Sequence, residues 1–253
     1  MMLFDPKLLE LHRDFAADNL HKSDFLFKFA ADDIIEHLKL LNSDFTNIIE
    51  LGARTGFISD FILKFNKNLV VTDPSSKMLK KNPAINKVKL AHDDDLNFPY
   101  DSADLMISSM NIHWINNVPN FIKQVHNILK SNGVFIGNFI GAGSFNNLKK
   151  IFIQTETESS NTHFMHVIPL IPAENAYKLF QEAGFNFIVV NTHKIELEYD
   201  SPIRLMKELK NMGENNPMIE HISPLPKKIL NYKDNFEDSV TMITVVGKKK
   251  SIT

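Results

Sequence analysis

Residues 47–56, with the sequence NIIELGARTG, decide how the rest of the chain is interpreted. The apolar, β-branched run Asn47–Leu51 predicts a short buried strand, and Gly52 allows the backbone to turn tightly after it. Residues 56–65 then carry apolar side chains at helical spacing, which predicts a helix. A helix that starts beside the end of a strand presents free backbone N–H groups to an anion. The turn is therefore the first place to expect a ligand.

The same alternation of strand and helix continues downstream. Helices are predicted between most of the further strands, and the clearest of them is Val118–Lys130. Such alternation predicts a doubly wound α/β fold with a parallel sheet that is covered on both faces. The further predicted strands are Leu69–Thr72, Lys87–Ala91, Asp104–Ser109, Val134–Ile140, Phe187–Leu197 and Val240–Val246.

Length and composition predict one domain, 1–253. We expect a helical cap over 1–42, a cofactor-binding core over 43–143, and the rest of the sheet with a lid over 144–253. The lid is predicted from 144–162 and 202–233.

The composition also excludes several classes of function. A net charge of −2 gives no field toward nucleic acid, and the absence of cysteine excludes disulfides, thiolate metal sites and a catalytic thiol. No apolar stretch approaches the roughly 20 residues that span a bilayer. The N-terminus also lacks the apolar segment of a signal peptide, so we expect a cytoplasmic protein.

Two acidic residues narrow the choice of ligand. Asp73 follows the second predicted strand, where a carboxylate can accept hydrogen bonds from a ribose hydroxyl. Nicotinamide-binding loops share this acid but normally have the pattern GxGxxG, whereas this loop is ELGARTG. Glu50, before the first glycine, favours S-adenosylmethionine, whose methionyl ammonium is cationic. In the remaining alternative, Gly52 and Gly56 are ordinary turn glycines and Asp73 caps the next helix.

Three stretches, 50–56 (ELGARTG), 71–79 (VTDPSSKML) and 94–135, resemble the motif series of class I S-adenosylmethionine-dependent methyltransferases. More narrowly, the chain resembles two groups: the biotin-pathway malonyl-acyl-carrier-protein methyltransferases, and the methyltransferase-like assembly factors of respiratory complex I. The segments that look closer to the second group are Leu3–Asp5, His113–Asn116, Gly133–Gly137 and Leu209–Glu214. The resemblance implies a Rossmann-like sheet of seven strands, the last of them antiparallel.

The resemblance also implies which residues bind S-adenosylmethionine. Those near the methionyl part are Glu50, Gly52, Ala53, Arg54 and Gly56, and Asp73 would bind the ribose. Pro74 and Met78 would lie beside the adenine, and Asp93 or Asp94 would bond its amino group. Ser109 and Met110 would lie under the sulfonium.

Arg54 departs from the family pattern, which usually has glycine at this position. If the backbone there requires a positive φ, a residue other than glycine costs about 1–2 kcal/mol. Arg54 could offset this cost by pairing with the cofactor carboxylate, or it could mark a weakened or lost site.

The acceptor side is less well defined by the sequence. His113 and Trp114 follow the fourth strand, where they could form a wall of the acceptor pocket or simply pack a loop and a helix. Methyl transfer to a carboxylate needs no general base, so no catalytic residue is assigned. His92 and Asp94 have the spacing of two metal ligands, but they fall where the adenine acid belongs. His163 and His166 have no evident third ligand, so no metal site is expected.

The predicted activity is methyl transfer to an oxygen acceptor, most specifically the malonyl carboxylate on acyl-carrier protein. Two alternatives stay open. One is a complex I assembly factor related to protein arginine hydroxylases, and the other is a non-enzymatic assembly module that retains the fold. The expected partner is an acyl-carrier protein or a protein substrate.

Overall fold

A seven-stranded sheet organises the protein in the computed structural model, which describes residues 2–41, 43–66, 68–90, 96–159, 166–219, 229, 232 and 235–251. Its strand order is β3-β2-β1-β4-β5-β7-β6. Within the described ranges, β7 is the strand that runs antiparallel to its neighbours, β5 and β6. The predicted fold class is therefore confirmed. The strands are β1 Ile48–Leu51, β2 Leu69–Asp73, β3 Asn86–Lys89, β4 Ala103–Ser109, β5 Leu129–Ile140, β6 Phe187–Tyr199 and β7 Phe236–Lys248.

The helices agree with the predicted pattern with two differences in extent. They are α1 Pro6–Asn19, α2 Phe25–Leu41, α3 Ser59–Ile62, α4 Ser76–Lys81, α5 Val118–Ile128, α6 Asn146–Ser159, α7 Ala173–Glu182 and α8 Pro202–Met212. The helix predicted over residues 56–65 is only the short α3, because i→i+3 hydrogen bonds such as Phe65 N to Ile62 O (3.1 Å) tighten its flanks into turns. The helix predicted to reach Lys130 ends at Ile128, because β5 already pairs with β4 at Leu129.

Helices cover both faces of the sheet because successive side chains of a strand point to opposite faces. Phe135 of β5 packs in a cluster with Phe121 of α5 and Phe180 of α7. The next residue, Ile136, packs in a cluster with Ile34 of α2 on the opposite face. Among the described residues, no helix is long and apolar enough to cross a bilayer.

The strand order reverses between β1 and β4, since β2 and β3 lie on one side of β1 and β5 lies beyond β4. In open α/β sheets, ligands bind outside the carboxyl ends of the strands at this point. Helix α1 packs against α4 and α8, beside these strand ends. The N-terminal cap therefore lies where it can contribute to the cleft.

Candidate active site

The turn after β1 has the backbone geometry that the glycines predict. Gly52 has φ +67° and Gly56 has φ +102°. A Cβ added at Gly52 would lie 2.5 Å from Asn111 Oδ1, and one at Gly56 would lie 2.5 Å from Pro83 Cδ. Both positions therefore require glycine for conformation and for space.

Arg54 stands in the same turn with φ +48°, so the positive φ suspected there is present. Its guanidinium is buried and donates to the backbone oxygens of Ser109 (3.0 Å) and Met110 (2.7 Å). It also donates to Glu214 Oε1 at 2.6 Å and lies 4.2 Å from the centre of the Phe27 ring. The side chain thus crosses the cleft from the end of β1 to the end of β4.

Asp73 lies at the end of β2, as predicted, and its carboxylate accepts three hydrogen bonds from the protein itself. Its Oδ2 accepts from Arg13 Nη1 (2.8 Å) and from the backbone N–H of Arg54 (3.1 Å), and its Oδ1 accepts from Ser75 N (2.9 Å). Arg13 Nη2 also donates to Asn111 Oδ1 at 2.9 Å. Helix α1 therefore brings a buried cation to the position expected for a ribose.

Sequence reasoning missed Arg13. The signal that could have found it is its place on the buried stripe of α1, among Leu9, Ala16 and Ala17. An arginine at helical spacing within an otherwise apolar stripe must find a buried anion, because an unpaired buried charge is strongly unfavourable.

Glu50 is buried and its Oε2 accepts from Ser59 Oγ at 2.6 Å. Burial raises the pKa of Glu50 to about 8; the Ser59 hydrogen bond opposes this rise, and the charges of Asp73 and Asp60 add to it. Near neutral pH this carboxyl group is mostly uncharged in the structure. A cation bound beside it would favour its ionised form.

The other predicted cofactor residues lie around the same cleft where the structure describes them. Ala53, Pro74, Met78 and Met110 are buried, and Met78 packs with Ala16 and Ala17 of α1. Ser109 Oγ donates to Asn138 Oδ1 at 3.1 Å. Asp93 and Asp94 lie outside the described residues, as do His92 and His163. Within the described ranges, no group of three or more His, Asp or Glu side chains could hold a metal ion.

A cavity of about 370 Å³ lies beside the cofactor cleft. Its walls are mostly apolar, and His113 and Trp114, the two predicted acceptor-side residues, are both part of them. The other lining residues are Ile140, Phe145, Leu148, Phe152, His166, Val167, Ile168, Leu170, Met206, Leu209, Glu214, Asn215 and Asn216.

Glu214 connects this cavity to the cofactor cleft. Its Oε2 accepts from His113 Nε2 (2.8 Å) and Trp114 Nε1 (2.9 Å), whereas its Oε1 accepts from Arg54. Burial alone would raise the pKa of Glu214, but the Arg54 charge and the His113 hydrogen bond outweigh it and lower that pKa to about 2. Burial lowers the pKa of His113, so its ring is neutral near pH 7. Its Nδ1 accepts from Ile140 N at 3.4 Å, which assigns the ring hydrogen to Nε2.

The end of α8 explains why Glu214 points inward. Gly213 adopts a left-handed conformation with φ +75°, and Glu214 N donates to Leu209 O at 2.8 Å. This is the hydrogen-bond pattern of a Schellman closure, which turns the chain sharply after a helix. Glu214 belongs to the segment Leu209–Glu214 that resembles the assembly-factor group, but the resemblance assigns it no role.

A second histidine–carboxylate pair lies at the cavity, where His166 is a lining residue. His166 Nε2 lies 2.5 Å from Glu156 Oε1, and the His166 ring stacks on Phe152 with a centroid distance of 4.0 Å. His166, which the sequence had paired with His163, thus has a carboxylate and an aromatic neighbour here.

Comparison with known proteins assigns the family. Residues 22–190 match the family model described as a methyltransferase domain. The chain belongs to this methyltransferase family. The cofactor of the family is S-adenosylmethionine, as the loop motif implied, and the chain is a S-adenosylmethionine-dependent methyltransferase.

Individual relatives show how far the similarity extends. A Rickettsia prowazekii protein, RP459, that is named as a methyltransferase is 36% identical over 82% of this chain and 95% of its own length. The rat protein named arginine-hydroxylase NDUFAF5, mitochondrial, is 30% identical over 85% of this chain, but the match spans only 64% of that protein. A Coxiella burnetii malonyl-[acyl-carrier protein] O-methyltransferase is 21% identical over 79% of this chain and 68% of its own length.

Solved structures confirm the fold. The structure of Haemonchus contortus phosphoethanolamine N-methyltransferase 2 in complex with S-adenosyl-L-methionine matches with a TM-score of 0.54 at 16% identity. That match covers 87% of this chain and 53% of the other chain. At this identity the likeness concerns the fold alone.

The polar groups of the cleft fit the chemistry of this cofactor. Among the buried side-chain atoms that have no hydrogen-bond partner within the described part of the chain, three are donors of Arg13, Arg54 and Asn111 at this cleft: Arg13 Nε, Arg54 Nε and Asn111 Nδ2. Buried donors of this kind are rare in native proteins, and a bound ligand commonly explains them. The carboxylate and hydroxyl oxygens of S-adenosylmethionine are acceptors that could satisfy them.

Proposed function

We propose that this methyltransferase acts on a basic side chain of a partner protein, which enters through the cavity beside Glu214. The observation that carries the proposal is the Arg54–Glu214 pair. At the junction of cavity and cleft, the protein already binds a guanidinium, with a carboxylate at 2.6 Å and a backbone oxygen at 2.7 Å. A substrate guanidinium or ammonium could take the same carboxylate when Arg54 moves away.

The cavity walls support a substrate with a long apolar stem. Lysine and arginine side chains carry their charge on an aliphatic chain, which apolar walls can bury while the charged end reaches a carboxylate. Phe145, Leu148 and Phe152 line this path, and Glu214 lies among the lining residues. The lining residues that the structure describes include no lysine or arginine.

The same observations favour a basic acceptor over the malonyl carboxylate. A malonyl carboxylate would approach the Glu214 carboxylate without a cation in the cavity wall to bind it, which is unfavourable in a buried site. The malonyl-specific relative is also more distant, at 21% identity, than the rat NDUFAF5 protein, at 30%.

The roles of the residues follow from where they lie. Glu50 and Asp73 would bind the ammonium and the ribose of the cofactor, with Gly52 and Gly56 giving its backbone contacts. When bound, the cofactor supplies a methyl group on an activated sulfonium. Glu214 would orient the acceptor nitrogen and accept the proton that this nitrogen loses when it is methylated, while His113 and Trp114 hold that carboxylate in place. The apolar cavity walls would exclude water from the reacting atoms.

A second candidate function shares the substrate but differs in the reaction. The rat relative is named as an arginine hydroxylase, which makes hydroxylation of an arginine side chain the alternative for the same cavity. That reaction requires an oxidant, and the carboxylate of Glu214 would position the guanidinium in either case.

The test uses protein extracts from cells that lack the gene. The purified protein is incubated with these extracts and methyl-labelled S-adenosylmethionine, and the labelled residues are identified by mass spectrometry. Label on arginine or lysine side chains, lost in Glu214→Gln but kept in Glu196→Gln, supports the proposal. Glu196 is a matched control because its side chain is 66% exposed. Label on malonyl-acyl-carrier protein would overturn it, and an added oxygen in place of a methyl group would identify the hydroxylase.

A further inference from the structure

Two arginine side chains occupy the polar positions of the cofactor cleft. We propose that Arg13 and Arg54, together the arginine latch, close this cleft in the ligand-free protein, and that S-adenosylmethionine binds by displacing them. Arg54 is then the residue that sets the affinity for the cofactor. This inference rests on the family's cofactor and is independent of which acceptor the enzyme uses.

Arg54 blocks the centre of the cleft. Arg54 is 2% exposed, and its guanidinium donates to the carbonyl oxygens of Ser109 and Met110, at the point where β4 ends. A ligand that extends from the Gly52 turn to the end of β4 must occupy the volume that this side chain fills. The Phe27 ring, 4.2 Å from the guanidinium carbon, closes the position from the side of α2.

Arg13 blocks the ribose position. Both oxygens of Asp73 accept hydrogen bonds. Of the three donors, Arg13 Nη1, at 2.8 Å, is the one that belongs to a side chain. The other two come from backbone N–H groups, of Arg54 and of Ser75, which also belong to the cleft. Arg13 therefore competes with a ribose hydroxyl for the Asp73 carboxylate.

The closed arrangement leaves polar groups unsatisfied, which favours its displacement by a ligand. Arg13 Nε, Arg54 Nε and Asn111 Nδ2 are buried without a hydrogen-bond partner among the described residues. Arg54 also holds a strained backbone conformation, with φ +48°. Displacement would let the two arginine Nε groups reach solvent, and Asn111 Nδ2 could then donate to an acceptor oxygen of the cofactor.

Displacement of the latch would also change the acceptor side. Glu214 loses its Arg54 partner when the guanidinium leaves, and its Oε1 becomes free to bind a substrate cation. Glu214 keeps its His113 and Trp114 donors, so the carboxylate stays in position. With the basic acceptor of the proposed function, which only this step requires, the enzyme would bind its cofactor first and its acceptor second.

Isothermal titration with S-adenosylhomocysteine tests the latch. The variant is Arg54→Gly with Glu214→Gln, which removes the side chain without leaving its buried carboxylate partner charged. Glycine also accepts the positive φ of that position. The matched control is Arg204→Ala on α8, because the Arg204 side chain is 64% exposed. Its Nε lies 3.6 Å from Glu208 Oε1, and an exposed ion pair of this kind contributes little to stability.

The double variant should bind S-adenosylhomocysteine about tenfold more tightly than the wild type, or more, and the control should match the wild type. Equal affinity in the variant and the wild type would overturn the proposal. Weaker binding in the variant would also overturn it, since Arg54 would then contact the cofactor. Absence of binding in all forms would show that the arginines are not what closes the site. A basic acceptor could still fail in the labelling experiment while this result holds, so the two proposals are separable.

Hydrogen exchange on the wild-type protein gives a test that needs no variant. Saturating S-adenosylhomocysteine should slow exchange in the turn 52–56 and speed it in α1 and at Glu214, whose contacts with the cleft are released. Slower exchange in all three segments would mean that the latch stays closed around the ligand, and would overturn the proposal.

Discussion

Glu214→Gln is the most informative single substitution for the stability of the site. It preserves the shape of the side chain but removes the charge that Arg54 pairs with in a buried position, where the two side chains are 3% and 1% exposed. The Gln carbonyl can replace one acceptor oxygen, but its NH₂ group must then face a donor, from Arg54 on one side or from His113 and Trp114 on the other. We therefore expect the cost of leaving a buried charge unpaired, which is about 3–5 kcal/mol.

For a chain of 253 residues, this cost corresponds to a fall in Tm of roughly 6–20 °C, at about 2–4 °C per kcal/mol. Differential scanning calorimetry measures the fall, and urea unfolding gives the free energy. Glu196→Gln, whose partner Lys194 is 64% exposed, is the control and should change stability by less than about 0.5 kcal/mol. Replacing both partners, as Arg54→Met with Glu214→Gln, should recover much of the loss, because neither position then carries a buried charge. A loss below about 1 kcal/mol in the single variant, or no recovery in the double variant, would refute the reasoning.

Three further predictions concern other parts of the structure. Glu50 has a pKa of about 8 in the folded protein against an ordinary value of 4.5, so its ionisation opposes folding. As the pH rises from 4.5 to 8, the free energy of unfolding of the wild type should fall by roughly 4–5 kcal/mol more than that of Glu50→Gln. Urea unfolding at each pH measures the fall, and an equal fall in the two proteins would contradict this. Asp238 accepts from Asn147 N (3.3 Å) and Leu148 N (2.8 Å) at the start of α6. Asp238→Ala should therefore lower the free energy of unfolding by about 1–2 kcal/mol, and an unchanged urea midpoint would show that Asp238 does not stabilise the helix as a cap. Gly213→Ala should lower the Tm, since φ is +75° and the new Cβ would lie 3.0 Å from a side-chain carbon of α1; a Tm equal to that of the wild type would show that the turn adapts.

The latch and the acceptor cavity meet at one carboxylate. Glu214 follows Gly213 in the turn after α8, receives Arg54 from the cofactor loop, and holds His113 and Trp114 of the cavity wall. A change on either side therefore alters the charge that the other side experiences. Such a shared carboxylate gives a physical basis for ordered binding of cofactor and acceptor.

The sequence alone determined the sheet and the turn at its centre. Short apolar strands, the glycines at 52 and 56 and the acid at 73 depend on local periodicity and local backbone sterics, which a sequence displays directly. The positive φ of Arg54 was also predictable, because family resemblance marked a glycine position there. Element ends were less accurate: α3 is shorter than predicted because i→i+3 hydrogen bonds mix with the α-helical ones on its flanks and form turns there.

Tertiary structure decided which charges meet in the cleft. Arg13 pairs with Asp73 across 60 residues, and Arg54 pairs with Glu214 across 160 residues. No local pattern encodes either pair, because each depends on how α1 and the turn after α8 pack against the strand ends. Burial then makes these pairs obligatory, since a lone charge in that position would cost far more than either pairing. The sequence therefore located the cofactor turn, and the packing of distant helices decided that two arginines lie within it.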